Sequence, residues 1–324
     1  MSAVLLFGIF FALLFLNVPI AMSLGVSSII TTMAVKPAMM STIAANLYSS
    51  TNTYVLLAIP FFILAGNIMD VSGISVRLIN FFNSLVGHTK HGTAMVCVIV
   101  ACFFAAISGS GPATVAALGG ILIPAMSKSG YEKDTSAALM STAGAIGIVI
   151  PPSITFVVYG SVTGTSVGDL FMAGIIPGIL IGVAIYFTMV ISSRGCNLVR
   201  QPKASGKERW KAFGDAVWGI LMPVIILGGI YGGIFTPTEA AAVSAIYGLI
   251  VGMFIYKTLR FKEIVVILRQ SVSQTAVVML IIGCAAVFGK VLTFTGLASD
   301  ASQSLISIAH GNKYTFCLLY TSDA

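Results

Sequence analysis

The chain is a succession of apolar blocks, cut repeatedly by glycine and proline and almost never by charge. The blocks fall at residues 5–16, 20–35, 54–69, 93–107, 115–126, 137–150, 154–161, 170–191, 217–235, 240–256 and 265–291, with a last one from 314. A soluble domain devotes roughly a quarter of its residues to Asp, Glu, Lys and Arg. Here those four types make up 8% of 324 residues, against 57% hydrophobic. A soluble chain of this length still has to cover a wet surface, and this one lacks the polar groups to do so. A bilayer removes that requirement. At about 20 residues per crossing, plus loops, the length accommodates on the order of 8 to 11 membrane segments. An all-α polytopic membrane protein is therefore expected, and nucleic-acid binding, a secreted disulfide scaffold and a soluble enzyme are set aside. The five cysteines, Cys97, Cys102, Cys196, Cys284 and Cys317, form no CxxC pair and read as small buried hydrophobes. The first block has no basic stretch before it and no small-residue cleavage site after it. It runs through Asn17-Val18-Pro19 into the second, as a retained, proline-kinked membrane entry.

Basic residues give an orientation. Arg194, Arg200, Lys203, Lys207, Arg209 and Lys211 crowd the only long hydrophilic stretch, and Lys257, Arg260, Lys262 and Arg269 crowd another. Two crossings lie between them, so both fall on one side, which the positive-inside rule makes cytoplasmic. A weak internal repeat accompanies this pattern. Gly66-Asn67-Ile68-Met69 and Val71-Ser72-Gly73-Ile74 align with Gly289-Lys290-Val291-Leu292 and Phe294-Thr295-Gly296-Leu297 at an offset of 223 residues. Val55-Leu56-Leu57 matches Val278-Met279-Leu280 at the same offset, and Pro19 and Pro237 correspond at a slightly smaller one. The stretch 31–52 carries one basic residue, Lys36, while its partner 257–274 carries four. Similar hydropathy with opposite charge bias is the pattern of an inverted-topology repeat, a design of secondary transporters. The expected division is a first repeat over 1–211, with a basic linker at 194–211, and a second over 212–316.

Two broken segments are the candidate chemistry. In Ile107-Ser108-Gly109-Ser110-Gly111-Pro112-Ala113-Thr114, glycines, a proline and competing serines oppose continuous helix between two apolar half-helices. Unsatisfied backbone survives in a membrane only beside protein or a watery cavity. Freed carbonyls with Ser and Thr hydroxyls make a hard, neutral oxygen cage suited to Na+. The half-helix that follows, from Ala113, points its N-terminus into the same space and favours an anionic substrate group. The bland reading is a small-residue packing site of the GxxxG kind. The second segment, from Ala143 through Gly147 to Ile150-Pro151-Pro152-Ser153, loses two donors to consecutive prolines. It is either a hairpin tip, a discontinuous span or a loop at the membrane surface. Glu239, two residues after Pro237, reads as a helix cap, and Asp70 has a similar terminal place. His88 and His91, flanking Lys90, read as solvated. No HExxH, GxSxG or Walker pattern is present, so neither an enzyme nor ATP hydrolysis is expected.

At these residues the chain resembles a known family. The runs LLAIPFFILAGNIMD, AAISGSGPATVAALGGILIPAM, GIVIPPSITFVVYG and GGIFTPTEAAAV occur in order, and together they resemble the large membrane subunit of TRAP (tripartite ATP-independent periplasmic) transporters, the DctM-like family. The resemblance implies an elevator-type fold of inverted repeats, broken helices and re-entrant hairpins in the bacterial inner membrane. It also implies Na+-coupled import of organic acids such as C4-dicarboxylates or sialic acid, with no cofactor beyond the coupling ion. Two partners follow: a small four-helix, DctQ-like membrane subunit and a DctP-like periplasmic binding protein. By motif, Ser108, Gly109, Ser110, Gly111, Pro112 and Thr114 line an ion and substrate region, faced by Gly147, Pro151, Pro152 and Ser153. The alternatives are a self-sufficient Na+/carboxylate symporter of related design and an intramembrane enzyme, for which no catalytic motif speaks. The second repeat stops early and the run 317–324 departs from the family pattern, so a chain truncated at its C-terminus is expected.

Overall fold

The computed structural model describes residues 2–194, 196 and 198–296. Thirteen helices follow one another there, and no strand occurs among the described residues: α1 (Ser2–Phe15), α2 (Ile20–Val35), α3 (Met40–Thr51), α4 (Ala58–Val71), α5 (Ile74–Val86), α6 (Gly92–Ser108), α7 (Gly111–Lys128), α8 (Lys133–Ala145), α9 (Ile154–Thr163), α10 (Val167–Ser192), α11 (Gly206–Tyr231), α12 (Pro237–Ile250) and α13 (Phe261–Phe294). Hydrocarbon offers no partner for backbone N–H and C=O groups, so an apolar chain crosses it as helix. Among the described residues five stretches are long and apolar enough to cross a membrane: Tyr54–Val71, Val167–Ser192, Gly206–Tyr231, Pro237–Ile255 and Phe261–Phe294. The chain is thus an all-α polytopic membrane protein. Proline alone does not break these spans, since Pro177 and Pro223 sit inside 26-residue helices.

The chain forms two compact units, Met1–Asn52 with Ala276–Ala324, and Thr53–Thr275. In the first unit α1 and α2 are joined by a tight turn in which Asn17 takes a left-handed conformation, φ 62°. Buried Leu6 packs with Phe288 and Val291 of α13, and the rings of Phe7 and Phe10 lie 5.7 and 5.5 Å from that of Phe288. The stretch 31–52 is mostly helix, because α2 runs on to Val35 and α3 fills Met40–Thr51. Its supposed counterpart 257–274 is likewise mostly the start of α13. The last apolar block from 314, the run 317–324 with Cys317, and Leu297 of the repeat match lie outside the described residues.

In the second unit α4 and α12 run side by side and parallel. Thr238 at the start of α12 donates to the Tyr54 carbonyl at 3.5 Å, and Thr258, just past its far end, donates to the Ser72 carbonyl at 3.2 Å. Buried Ile68, Leu259 and Ile267 close the space between α4 and the start of α13. One end of the unit gathers the start of α4, the end of α9 and the start of α12, with Thr53 and Ser161 hydroxyls 3.1 Å apart. The other end gathers the turns after α4, α5, α7, α10 and α12. All fourteen lysines and arginines of Thr53–Thr275 lie on those turns or within about two helical turns of them. The linker between α10 and α11 is shorter than the hydrophilic run suggests, because Ser205 caps α11 and the helix begins at Gly206.

Candidate ion and substrate site

The first broken segment is the tip of a hairpin. α6 and α7 both have their outer ends at the basic face, where the Thr93 and Ser129 hydroxyls are 3.0 Å apart. The base of the hairpin is tied further by His91, whose Nδ1 is 3.1 Å from the Ser193 hydroxyl and 3.4 Å from that of Tyr131. Partial burial, with Lys90 next door, holds the His91 imidazole below its usual range. The Ser193 hydroxyl also donates to the Met189 carbonyl at 2.7 Å. His91 is therefore half-buried and bonded rather than solvated as expected, because the ends of α7 and α10 fold over it.

The chain rises about 25 Å along the 17 residues of α6 and turns at Gly109, whose φ of 61° is left-handed and suits glycine. Ser110 is extended, and α7 starts at Gly111. The expectation that Pro112 helps interrupt the helix, with α7 starting at Ala113, is corrected. Pro112 sits in the first turn of α7, where its missing N–H costs nothing. The interruption itself is Gly109 and Ser110. Below it, three neutral oxygens converge. Ser108 Oγ is 3.2 Å from Thr114 Oγ1, and the Ser110 carbonyl accepts from Ser108 Oγ at 3.3 Å and from Thr114 Oγ1 at 2.9 Å. Ser108 is 3% exposed and Thr114 fully buried.

The second segment is a discontinuous helix, not a surface loop. α8 enters from the basic end, tightens over Ile146–Ile148 and gives way at Val149, and the chain resumes as α9 from Ile154. Pro151, Pro152 and Ser153 are buried, and the Pro151-Pro152 peptide is cis. The two segments touch through backbone. The Ile154 amide donates to the Gly109 carbonyl at 3.2 Å. A Cβ on Gly109 would lie 2.7 Å from the Pro152 carbonyl oxygen. One on Gly147 would lie 3.2 Å from the Gly111 amide nitrogen, and one on Gly111 would lie 3.0 Å from the Gly144 carbonyl. Glycine is thus what lets the two broken segments meet.

Of the expected residues, Ser108, Gly109, Ser110, Gly111, Thr114, Gly147 and Pro152 come together. Pro112 is exposed beside them. Ser153 turns its hydroxyl back to the Ile148 carbonyl at 2.5 Å, and Pro151 precedes the contact without making it. Residue reading missed Gly66, on α4, where a Cβ would meet Ser108 Cα at 3.1 Å. Its place in the repeat motif was the available signal. Asp70 lies in the last turn of α4, the opposite end of a helix from a macrodipole-stabilising acid, and accepts from the Ser75 hydroxyl at 3.4 Å. Glu239 does cap α12: its Oε2 accepts from the Thr236 amide at 2.8 Å.

No Asp, Glu, Lys or Arg occurs between Lys90 and Lys128 or between Asp134 and Asp169, so the meeting point is neutral. It combines hydroxyl and carbonyl oxygens with two helix N-termini, those of α7 and α9. The amides of Gly111 and Ala113 at the start of α7 have no acceptor among the described residues.

Comparison with known proteins agrees with this architecture. Residues 7–321 match the model of the family described as tripartite ATP-independent periplasmic transporter, DctM component. The chain is 38% identical over 321 residues to a C4-dicarboxylate TRAP transporter large permease protein, DctM, of Rhodobacter capsulatus, covering 95% of this chain and 73% of that one. It is 45% identical over 271 residues to the protein of the same description from Pseudomonas aeruginosa, covering 84% and 64%. An isethionate TRAP transporter permease protein, DctMQ, of Oleidesulfovibrio alaskensis is 41% identical over 306 residues, covering 94% of this chain and 48% of its own length. The helices, the two broken segments and these matches together place the chain in the DctM family, the large permease component of TRAP transporters.

Proposed function

We propose that this chain binds Na+ at the hairpin tip and moves an organic acid past it, as the permease subunit of a Na+-coupled symporter. The observation that carries the reading is the trio Ser108 Oγ, Ser110 O and Thr114 Oγ1, neutral and between two broken helices, with Ser108 and Thr114 buried and Ser110 partly so. Hard cations take oxygen ligands, and ligands about 2.4 Å from one ion at right angles stand about 3.4 Å apart. The spacings of 2.9 to 3.3 Å in the trio are close to that. The open start of α7 favours an acidic group on the substrate. The related proteins are described as carrying C4-dicarboxylate, isethionate and sialic acid, all acids, which supports an anionic substrate here. A DctP-like periplasmic protein would deliver the substrate and a DctQ-like four-helix subunit would complete the assembly in the inner membrane. The basic end, with its fourteen cations, is the cytoplasmic one on this reading.

The test is the thermal stability of the purified chain in Na+ against K+ at matched ionic strength. A ligand that binds only the folded state raises stability by RT ln(1 + [L]/Kd), about 2.7 kcal/mol at a hundredfold excess over Kd. Stabilisation by Na+ and not K+ is expected. Equal curves in the two salts would overturn the Na+ site.

A further inference from the structure

We propose that the basic end of the Thr53–Thr275 unit is a binding surface for anionic phospholipid headgroups, built by the start of α11 and the turn into α13. On α11, Lys207, Trp210 and Lys211 follow helical spacing and share one exposed face, which Gly214 leaves open. Trp210 is 75% exposed and lies edge-on to Phe213, ring centroids 5.9 Å apart. Phe213 in turn rests on Phe81 of α5 at 5.6 Å. The turn into α13 joins this face through Tyr256, whose hydroxyl donates to the Asp215 carbonyl at 2.7 Å. That bond sets Lys257 and Arg260 beside α11, together with Phe261, which is 78% exposed.

The cations are uncompensated. Residues 194–215 and 257–269 hold ten basic side chains and three acidic ones. Two of those three acids are spent on backbone: Glu208 accepts from the Ser205 amide and Glu263 from the Arg260 amide, each at 2.7 Å. Among the described residues none of the ten is paired with a carboxylate, and Arg209 keeps a buried Nε with no protein partner. Arg77 is a contrast at the same end: it bonds the Ser72 and Gly73 carbonyls and stacks on Tyr256 at 3.8 Å, so its charge is used internally.

Two features select a lipid over another anion. The face opens a membrane-spanning helix, Gly206–Tyr231, so it stands at headgroup depth. Its exposed indole and phenyl rings are the amphipathic and apolar anchors that favour that layer. Juxtamembrane cations near a surface of anionic lipid each add roughly five-fold to binding.

Trp210 is also the reporter, since the chain has only one other tryptophan, Trp218. In the full-length chain carrying Trp218→Phe, fluorescence is measured in phosphatidylcholine nanodiscs holding a small fixed fraction of brominated phosphatidylglycerol or brominated phosphatidylcholine. Stronger quenching by the brominated phosphatidylglycerol is expected. The preference should fall roughly five-fold for each of Lys207→Gln and Lys211→Gln, and survive Lys133→Gln, an exposed lysine of α8. Equal quenching by both lipids in the parent would overturn the proposal and leave an acidic protein segment as the occupant. An equal loss in Lys133→Gln would overturn it too, by reducing the effect to general charge.

Discussion

Two of the described helices begin with a hydroxyl residue followed within two positions by proline, and their starts are chemically opposite. At α12 the run is Thr236-Pro237-Thr238-Glu239, and Glu239 reaches back to the Thr236 amide and hydroxyl, each at 2.8 Å, while its own amide donates to Thr236 Oγ1 at 3.3 Å. At α7 the run is Ser110-Gly111-Pro112-Ala113. Alanine in the place of the glutamate has nothing to reach back with. Ser110 makes no capping bond, and its amide turns to Ser108 Oγ at 3.4 Å. The difference of one side chain separates a helix start closed by its own carboxylate from one left open to an external anion. Capping boxes also close the start of α11, so the open start is not for want of the motif elsewhere in the chain.

The comparison is broken most severely by Ala113→Glu, which grafts the α12 arrangement onto α7. A carboxylate in the open N-terminus competes with the substrate, and like charges brought together cost several kcal/mol. Uptake of organic acid by the assembled transporter should fall at least about 100-fold, with the melting temperature unchanged or raised. Unimpaired uptake would mean that substrate never approaches this helix start. Next in size come Ser108→Ala and Thr114→Val, each of which removes one hydroxyl oxygen of the trio and little volume. Losing a buried polar partner costs about 1–3 kcal/mol, or roughly a five- to 150-fold weaker response to Na+. A Na+ titration of thermal stability reads this directly. If both variants keep the parent's midpoint, the side chains are not ligands and only the backbone carbonyls remain. The smallest effect belongs to Thr236→Ala, which opens the closed start: a loss of about 1 kcal/mol of stability, seen as a lower melting temperature with the Na+ midpoint unmoved.

Both broken segments were legible because two glycines with serines, and two adjacent prolines, withdraw helical backbone bonds whatever surrounds them. The capping role of Glu239 was legible for the same reason, being local. What escaped depends on contact at a distance. His91 reads as a loop residue until the ends of α7 and α10 close over it. Gly66 is one glycine among 33 until Ser108 is seen against it. α5 was passed over because it is short, although Ile74, Leu78 and Phe82, all buried, recur every fourth residue. α3 had no such stripe: none of its residues is buried, so no periodic signal marked it. Pro112 was misplaced because proline is as compatible with the first turn of a helix as with a break.

The residues that meet at the hairpin tip are serine, threonine, glycine and proline, and none of them exchanges a proton with water in the physiological range. If Na+ binds there as proposed, its capture is uncoupled from hydrogen-ion activity. No proton would then be released as the ion is bound, the intrinsic affinity would have no acid limb, and a drop in external pH that would silence a carboxylate cage would leave this one unchanged. Any pH dependence of the whole cycle would have to enter elsewhere, through the ionisation of the cargo or of groups such as His91 at the base of the hairpin.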